Sequence, residues 1–182
     1  MPNKIVLVII AVGMVLSMLL GNKKVRVFPL LIRQIQVFKN AKTNKTSIWD
    51  FLCFVIMPLV LAVIITMGFD CVIDIALAGV LTTVFAFIFT VLFGFAAILV
   101  GKLESKNELE KMVVGETFVS IMTSNILSLI ASVMSVSIII NQNETLRRLL
   151  SICVYGFSFM IIMLLLMISK RTFIIYCNNT KA

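Results

Sequence analysis

The chain contains no histidine, and with it go the commonest general base, proton relay and metal ligand. Its four cysteines (Cys53, Cys71, Cys153, Cys177) form no C-x-x-C pair. They read as small apolar packing residues rather than redox or metal groups. Charged residues make up only 13% of the sequence. The Walker, Rossmann, zinc-finger and hydrolase motifs are missing as well. Chemistry inside a membrane would need polar groups converging at one depth, and neither histidine nor a paired carboxylate is there to supply them. No catalytic residue, metal ligand or cofactor site is expected, and the protein reads as a non-enzyme.

One further absence orients the molecule. Residues 1–48 hold eight Lys and Arg and no acid at all, whereas the remaining eight basic and eight acidic residues cancel. Seven of the early cations (Lys23, Lys24, Arg26, Arg33, Lys39, Lys42, Lys45) fall in one stretch between two apolar runs. Loops rich in Lys and Arg stay on the cytoplasmic side of a membrane.

What remains is overwhelmingly apolar. Hydrophobic residues make up 61% of the 182 positions and are gathered in long runs, which is a membrane composition. The first run, 5–20, is at the short limit for a crossing helix. No A-x-A type cleavage site follows it, so it reads as an uncleaved first helix or an embedded anchor. Residues 22–48 form a basic amphipathic segment. Phe28, Leu31, Ile32, Ile35 and Phe38 recur at helical spacing, with Arg33, Gln34, Gln36 and Lys39 elsewhere around the helix. Trp49 suits a membrane interface. Crossing helices are expected at 51–69, 75–100, 113–140 and 149–169. Pro58 should kink the first of these, and Ser105 with Glu108 fits a capping box ahead of the third.

The fold class is therefore all-α: a single polytopic transmembrane bundle with four or five spans, the count depending on whether 5–20 crosses or only embeds. With the basic loop and the C-terminus in the cytoplasm, thirteen Lys and Arg lie inside and three outside. The abundance of Ile, Lys and Asn suits an AT-rich bacterial gene, and the expected location is the bacterial inner membrane.

The third of these crossing helices carries the least ordinary pattern. Glu116, Ser120, Ser124, Ser128 and Ser132 repeat every four residues, with Asn125 among them, so they stack along one face. Two readings fit. The stripe is a small-xxx-small packing ridge, within the chain or between copies in a homo-oligomer, or it is the polar wall of a water-filled path with Glu116 at its cytoplasmic mouth. Packing is the stronger of the two. Asn125 lies deep in the span and should need a partner. Asp70 and Asp74 flank the opposite turn and read as helix-start acids.

The basic segment fits anchoring to anionic lipid headgroups and docking of a cytoplasmic protein partner. Direct nucleic-acid binding is not expected, because the same segment buries an apolar face. The favoured function is a sensor or scaffold subunit acting through that partner. The alternative is a holin-like pore, ion channel or small transporter lined by the serine-rich helix 113–140.

The size, the clustered spans and the basic face resemble the small multi-spanning membrane subunit of the Kiwa anti-phage defence system of bacteria. The most distinctive segment runs from Leu31-Ile32-Arg33-Gln34 through Lys42-Thr43-Asn44-Lys45-Thr46 into Trp49-Asp50. The resemblance implies a homo-oligomeric inner-membrane sensor that engages a cytoplasmic DNA-binding effector. That subunit has four spans, which matches this chain if 5–20 embeds without crossing. No functional residue is carried over.

Overall fold

The computed structural model describes residues 28–37, 48–102, 108–140 and 143–179. The first apolar run, 5–20, lies outside the described residues, and so do Lys23, Lys24, Arg26, Lys39, Lys42 and Lys45. Of the seven clustered cations only Arg33 lies within them.

Every regular element among the described residues is helical. Helix α1 covers Phe28–Val37. Helix α2 is a composite rod over Trp49–Gly68, α3 covers Ile75–Lys102, α4 Glu108–Ile140 and α5 Glu144–Asn179. The last four are long and apolar enough to cross a membrane, with mean hydropathy between 1.9 for α4 and 2.7 for α2. Helix is the outcome expected of such runs, since hydrocarbon offers no water to backbone N–H and C=O groups. The 30-residue apolar stretch of α4 spans about 45 Å at 1.5 Å per residue, more than the hydrocarbon thickness requires.

Helix α2 departs from a simple rod at its proline. A π-helical segment, Leu52–Ile56, precedes the α-helical Met57–Val63, in whose first turn Pro58 sits. The Met57 N–H donates to the Leu52 carbonyl, five residues back. The wider turn accommodates a ring that would crowd a carbonyl in an ordinary α-helix. The kink expected at Pro58 is thus met by a local change of helix type. A second π-helical segment, Ile64–Gly68, closes the rod.

The turn into α3 follows at once. Its left-handed residue is Asp70 (φ 53°), not Gly68, consistent with the tolerance of Asp for that region. Asp74 caps α3 by accepting the Leu77 N–H at 2.7 Å. The buried Ile73 N–H donates to Ser151 Oγ at 3.1 Å, and Arg148 meets Asp70 at 3.1 Å. These contacts fasten the α2–α3 turn to the start of α5.

In space α3 packs on α4, α4 on α5 and α5 on α2, while α1 lies along α4. Helix α4 is therefore central. More of its apolar window is buried (39%) than for α5 (28%), α3 (22%) or α2 (17%). Two apolar clusters brace it. One joins Ala78 and Phe85 of α3 to Ala131 and Ile138 of α4 and to Val154 and Ile161 of α5. The other, toward the opposite end, joins Leu92, Ala96 and Leu99 to Val114, Ile121 and Ile168.

Helix α2 reaches the bundle mainly through α5, and Gly156 sets that approach. A Cβ there would lie 3.0 Å from Leu59 Cδ2 and 3.8 Å from Ala62 Cβ. A small residue lets the two helices close without the help of a hydrophobic driving force between them. Gly156→Leu is expected to lower stability by about 1–3 kcal/mol through overpacking. Gly156→Ala should cost much less, since the Leu59 methyl can rotate away. Thermal unfolding in detergent measures both, and an unchanged midpoint for Gly156→Leu would contradict the α2–α5 packing.

Candidate functional site: the polar face of α4 and its junction with α1 and α5

The hydroxyls of α4 are spent within the helix itself. Ser120 donates to the Glu116 carbonyl at 3.0 Å, Ser124 to the Ser120 carbonyl at 3.0 Å and Ser128 to the Asn125 carbonyl at 2.8 Å. Thr117 and Thr123 bond back to Val113 and Val119 in the same way, at 2.7 and 2.9 Å. Back-bonding satisfies each hydroxyl in hydrocarbon and leaves a small side chain that a neighbouring helix can approach. Ser120, Ser124 and Ser128 are fully buried inside a single chain, which removes them from any interface between copies. Ser132, at the far end of the stripe, is only half-buried.

At the near end the stripe terminates in an ion pair. Arg171 of α5 approaches Glu116 at 3.0 Å, with their side chains 19% and 38% exposed. The approaching nitrogen has no aligned hydrogen bond, so opposite charge rather than a directed bond holds the contact. No local pattern in the sequence marks Arg171 as the partner of Glu116. The pairing follows from packing of α4 on α5, because Glu116 and Arg171 are at similar distances along the chain from Ile140, where α4 ends, and Glu144, where α5 begins.

Asn125 behaves differently from the serines. It is 3% exposed, and neither amide atom has a hydrogen-bond partner among the described residues. An unpaired buried amide costs on the order of 1–3 kcal/mol. The partner expected from the sequence is not found among those residues.

Helix α1 supplies a second residue that sequence inspection missed. Gln34 is only 5% exposed, and its Oε1 takes a weak share, at 3.4 Å, of the one Thr123 hydroxyl proton that goes chiefly to the Val119 carbonyl at 2.9 Å. Its Nε2 has no partner among the described residues. Leu31, Ile32 and Ile35 instead stay exposed on the outside. The conspicuous apolar stripe of α1 thus faces away from the bundle, and the weaker Leu30–Gln34–Val37 line turns toward α4. That line has ordinary helical spacing, but a glutamine at its centre disguises it.

Beside this contact lies an open cleft of about 330 Å³, lined by Arg33, Gln36 and Val37 of α1 and by Met112, Gly115, Glu116 and Val119 of α4. The structure therefore brings Arg33 and Glu116, two residues singled out from sequence for separate reasons, to one site. Asp70 and Asp74 are at the other end of the bundle, engaged with Arg148 and as the α3 cap. Among the described residues no three His, Cys, Asp or Glu side chains gather to hold a metal ion. The site offers charge and hydrogen-bond donors rather than a nucleophile with its base.

Comparison with protein-family models, curated proteins and solved structures finds no match.

The ion pair is open to a direct test. Glu116→Gln and Arg171→Met should each destabilise the protein, and the double variant should cost less than their sum, by about 1 kcal/mol for a partly exposed pair. Unfolding in detergent gives the coupling, and strict additivity would contradict a functional contact between α4 and α5 at this end.

Proposed function

We propose that the protein is a non-enzymatic subunit of the bacterial inner membrane that holds or regulates a cytoplasmic protein partner, in the manner that the Kiwa resemblance implies for anti-phage defence. The observation that carries this reading is the burial of Ser120, Ser124 and Ser128 with every hydroxyl bonded to its own helix. A packed, self-satisfied polar face suits a rigid platform better than a conduit. Its working surface is then the basic stretch 22–48, whose sequence holds seven cations and no acid.

Orientation follows the charges in this proposal. Arg33, Lys102, Lys111, Lys170 and Arg171 gather toward one end of the bundle, which is assigned to the cytoplasm. Arg147 and Arg148 share the other end with Asp70, Asp74 and Glu144. Self-association belongs to the proposal too, and it uses the outer faces of the bundle, since the serines are consumed within one chain.

A second reading has one observation in its favour. Asn125, buried near mid-span with its amide unpartnered among the described residues, is the group a holin-like pore, channel or small transporter would present to water or to a permeant ion.

Gentle-detergent capture of the tagged protein from its host, followed by mass spectrometry, tests the first reading. A stoichiometric soluble partner is expected from the wild type, with about a tenfold loss when Lys39, Lys42 and Lys45 become Glu, since exposed ion pairs contribute about 0.2–1 kcal/mol each. A homo-oligomer without a partner, whose liposome flux is abolished by Asn125→Leu, would replace the platform with the pore.

A further inference from the structure

We infer that the cleft between α1 and α4 is a binding site for the phosphate headgroup of one anionic membrane phospholipid. This deepens the proposed membrane placement and rests on it.

Charge sets the class of ligand. Glu116 is already matched by Arg171 at 3.0 Å, whereas Arg33, exposed on the cleft wall, has no ion pair among the described residues. Among the described residues the site therefore carries one guanidinium without a matching carboxylate, a group whose planar fork suits phosphate oxygens. The Gln36 amide lines the same wall and can donate.

Depth and surroundings select a lipid over a free anion. Gly115 and Glu116 lie roughly 6–8 Å along α4 from Lys111, at 1.5 Å per residue, close to the polar boundary of the span. The remaining lining, Val37, Met112 and Val119, is apolar. A soluble phosphate would satisfy Arg33 and leave these surfaces bare. A phospholipid covers both, with its phosphate on Arg33 and Gln36 and the start of its acyl chain against Val37, Met112 and Val119. Basic pockets between membrane helices bind anionic headgroups on these terms.

Gly115 gives the inference a clean test. A Cβ at this position would meet nothing within 4 Å, although Gly115 lines the cleft. A larger side chain there should fill the site without disturbing the helix packing, so occupancy and stability can be separated.

The protein is reconstituted in phosphatidylcholine nanodiscs with and without phosphatidylglycerol, and retained lipid is counted by native mass spectrometry. The wild type should keep one phosphatidylglycerol with about a tenfold preference over phosphatidylcholine, and Arg33→Gln should lower that preference about fivefold. Gly115→Leu should abolish it while leaving the unfolding midpoint in pure phosphatidylcholine unchanged. Equal retention of both lipids by the wild type, or an undiminished preference in Arg33→Gln, would overturn the site. Thermal stabilisation by soluble glycerol 3-phosphate equal to that by phosphatidylglycerol would overturn the lipid assignment in favour of a free anion. A failed lipid test alongside continued capture of a soluble partner would remove the site and leave the platform reading standing.

Discussion

A hydroxyl carried into hydrocarbon has to find an acceptor, and α4 finds one for most of its hydroxyls in its own backbone. The rest of the bundle depends on that solution. Because Ser120, Ser124 and Ser128 bond back to carbonyls 2.8–3.0 Å away, the helix presents a narrow surface with little polar demand left over. Helices α3 and α5 can then close on it from two sides, and α1 along a third line. The apolar clusters above and below the polar stretch set the antiparallel register, and that register delivers Arg171 to Glu116. Leucines in place of the serines would keep α4 in the membrane but would hold its neighbours farther away. Smallness and self-satisfaction act together here.

The two ends of the bundle solve different problems. At one end, Asp70, Asp74, Ser151 and Arg148 clamp a short turn that contains a left-handed aspartate. Those groups are occupied by structure. At the other end, the Glu116–Arg171 pair closes the polar face, and Arg33 stands beside it with its charge uncompensated among the described residues. Charge that the fold does not use is charge available to a ligand, and this asymmetry is what directs attention to the Arg33 end.

Much of the architecture is legible in the sequence, because the solvent imposes it. Long uninterrupted apolar runs cross as helices, so the four helices of crossing length among the described residues follow from composition and length. The serine spacing shows that these residues share a face, but it does not show what that face meets. Their burial emerges only once α3 and α5 are placed on either side. Gln34 is hidden for the same reason. The loudest periodicity in α1 is Leu31, Ile32 and Ile35, and in a membrane the loud apolar side is the one that turns outward. Arg171 and Glu116 are far apart in sequence and are joined only by the hairpin register. Pro58 announces a disturbance in α2, but a proline alone does not tell a π-helical turn from a simple bend.

The central claim is that the serine face of α4 is dry and sealed within one chain. Thiol accessibility measures this most directly. Cys53, Cys153 and Cys177 are replaced, the exposed Cys71 is kept as an internal reference, and Ser124 or Ser128 is changed to Cys. Open membranes are then treated with a small, water-soluble thiosulfonate. The account predicts that Cys71 is modified while the thiols introduced at positions 124 and 128 stay unreacted until the protein is unfolded. Modification at those two positions at a rate comparable to Cys71 would mean that water reaches the stripe, and the packed platform would give way to a conduit.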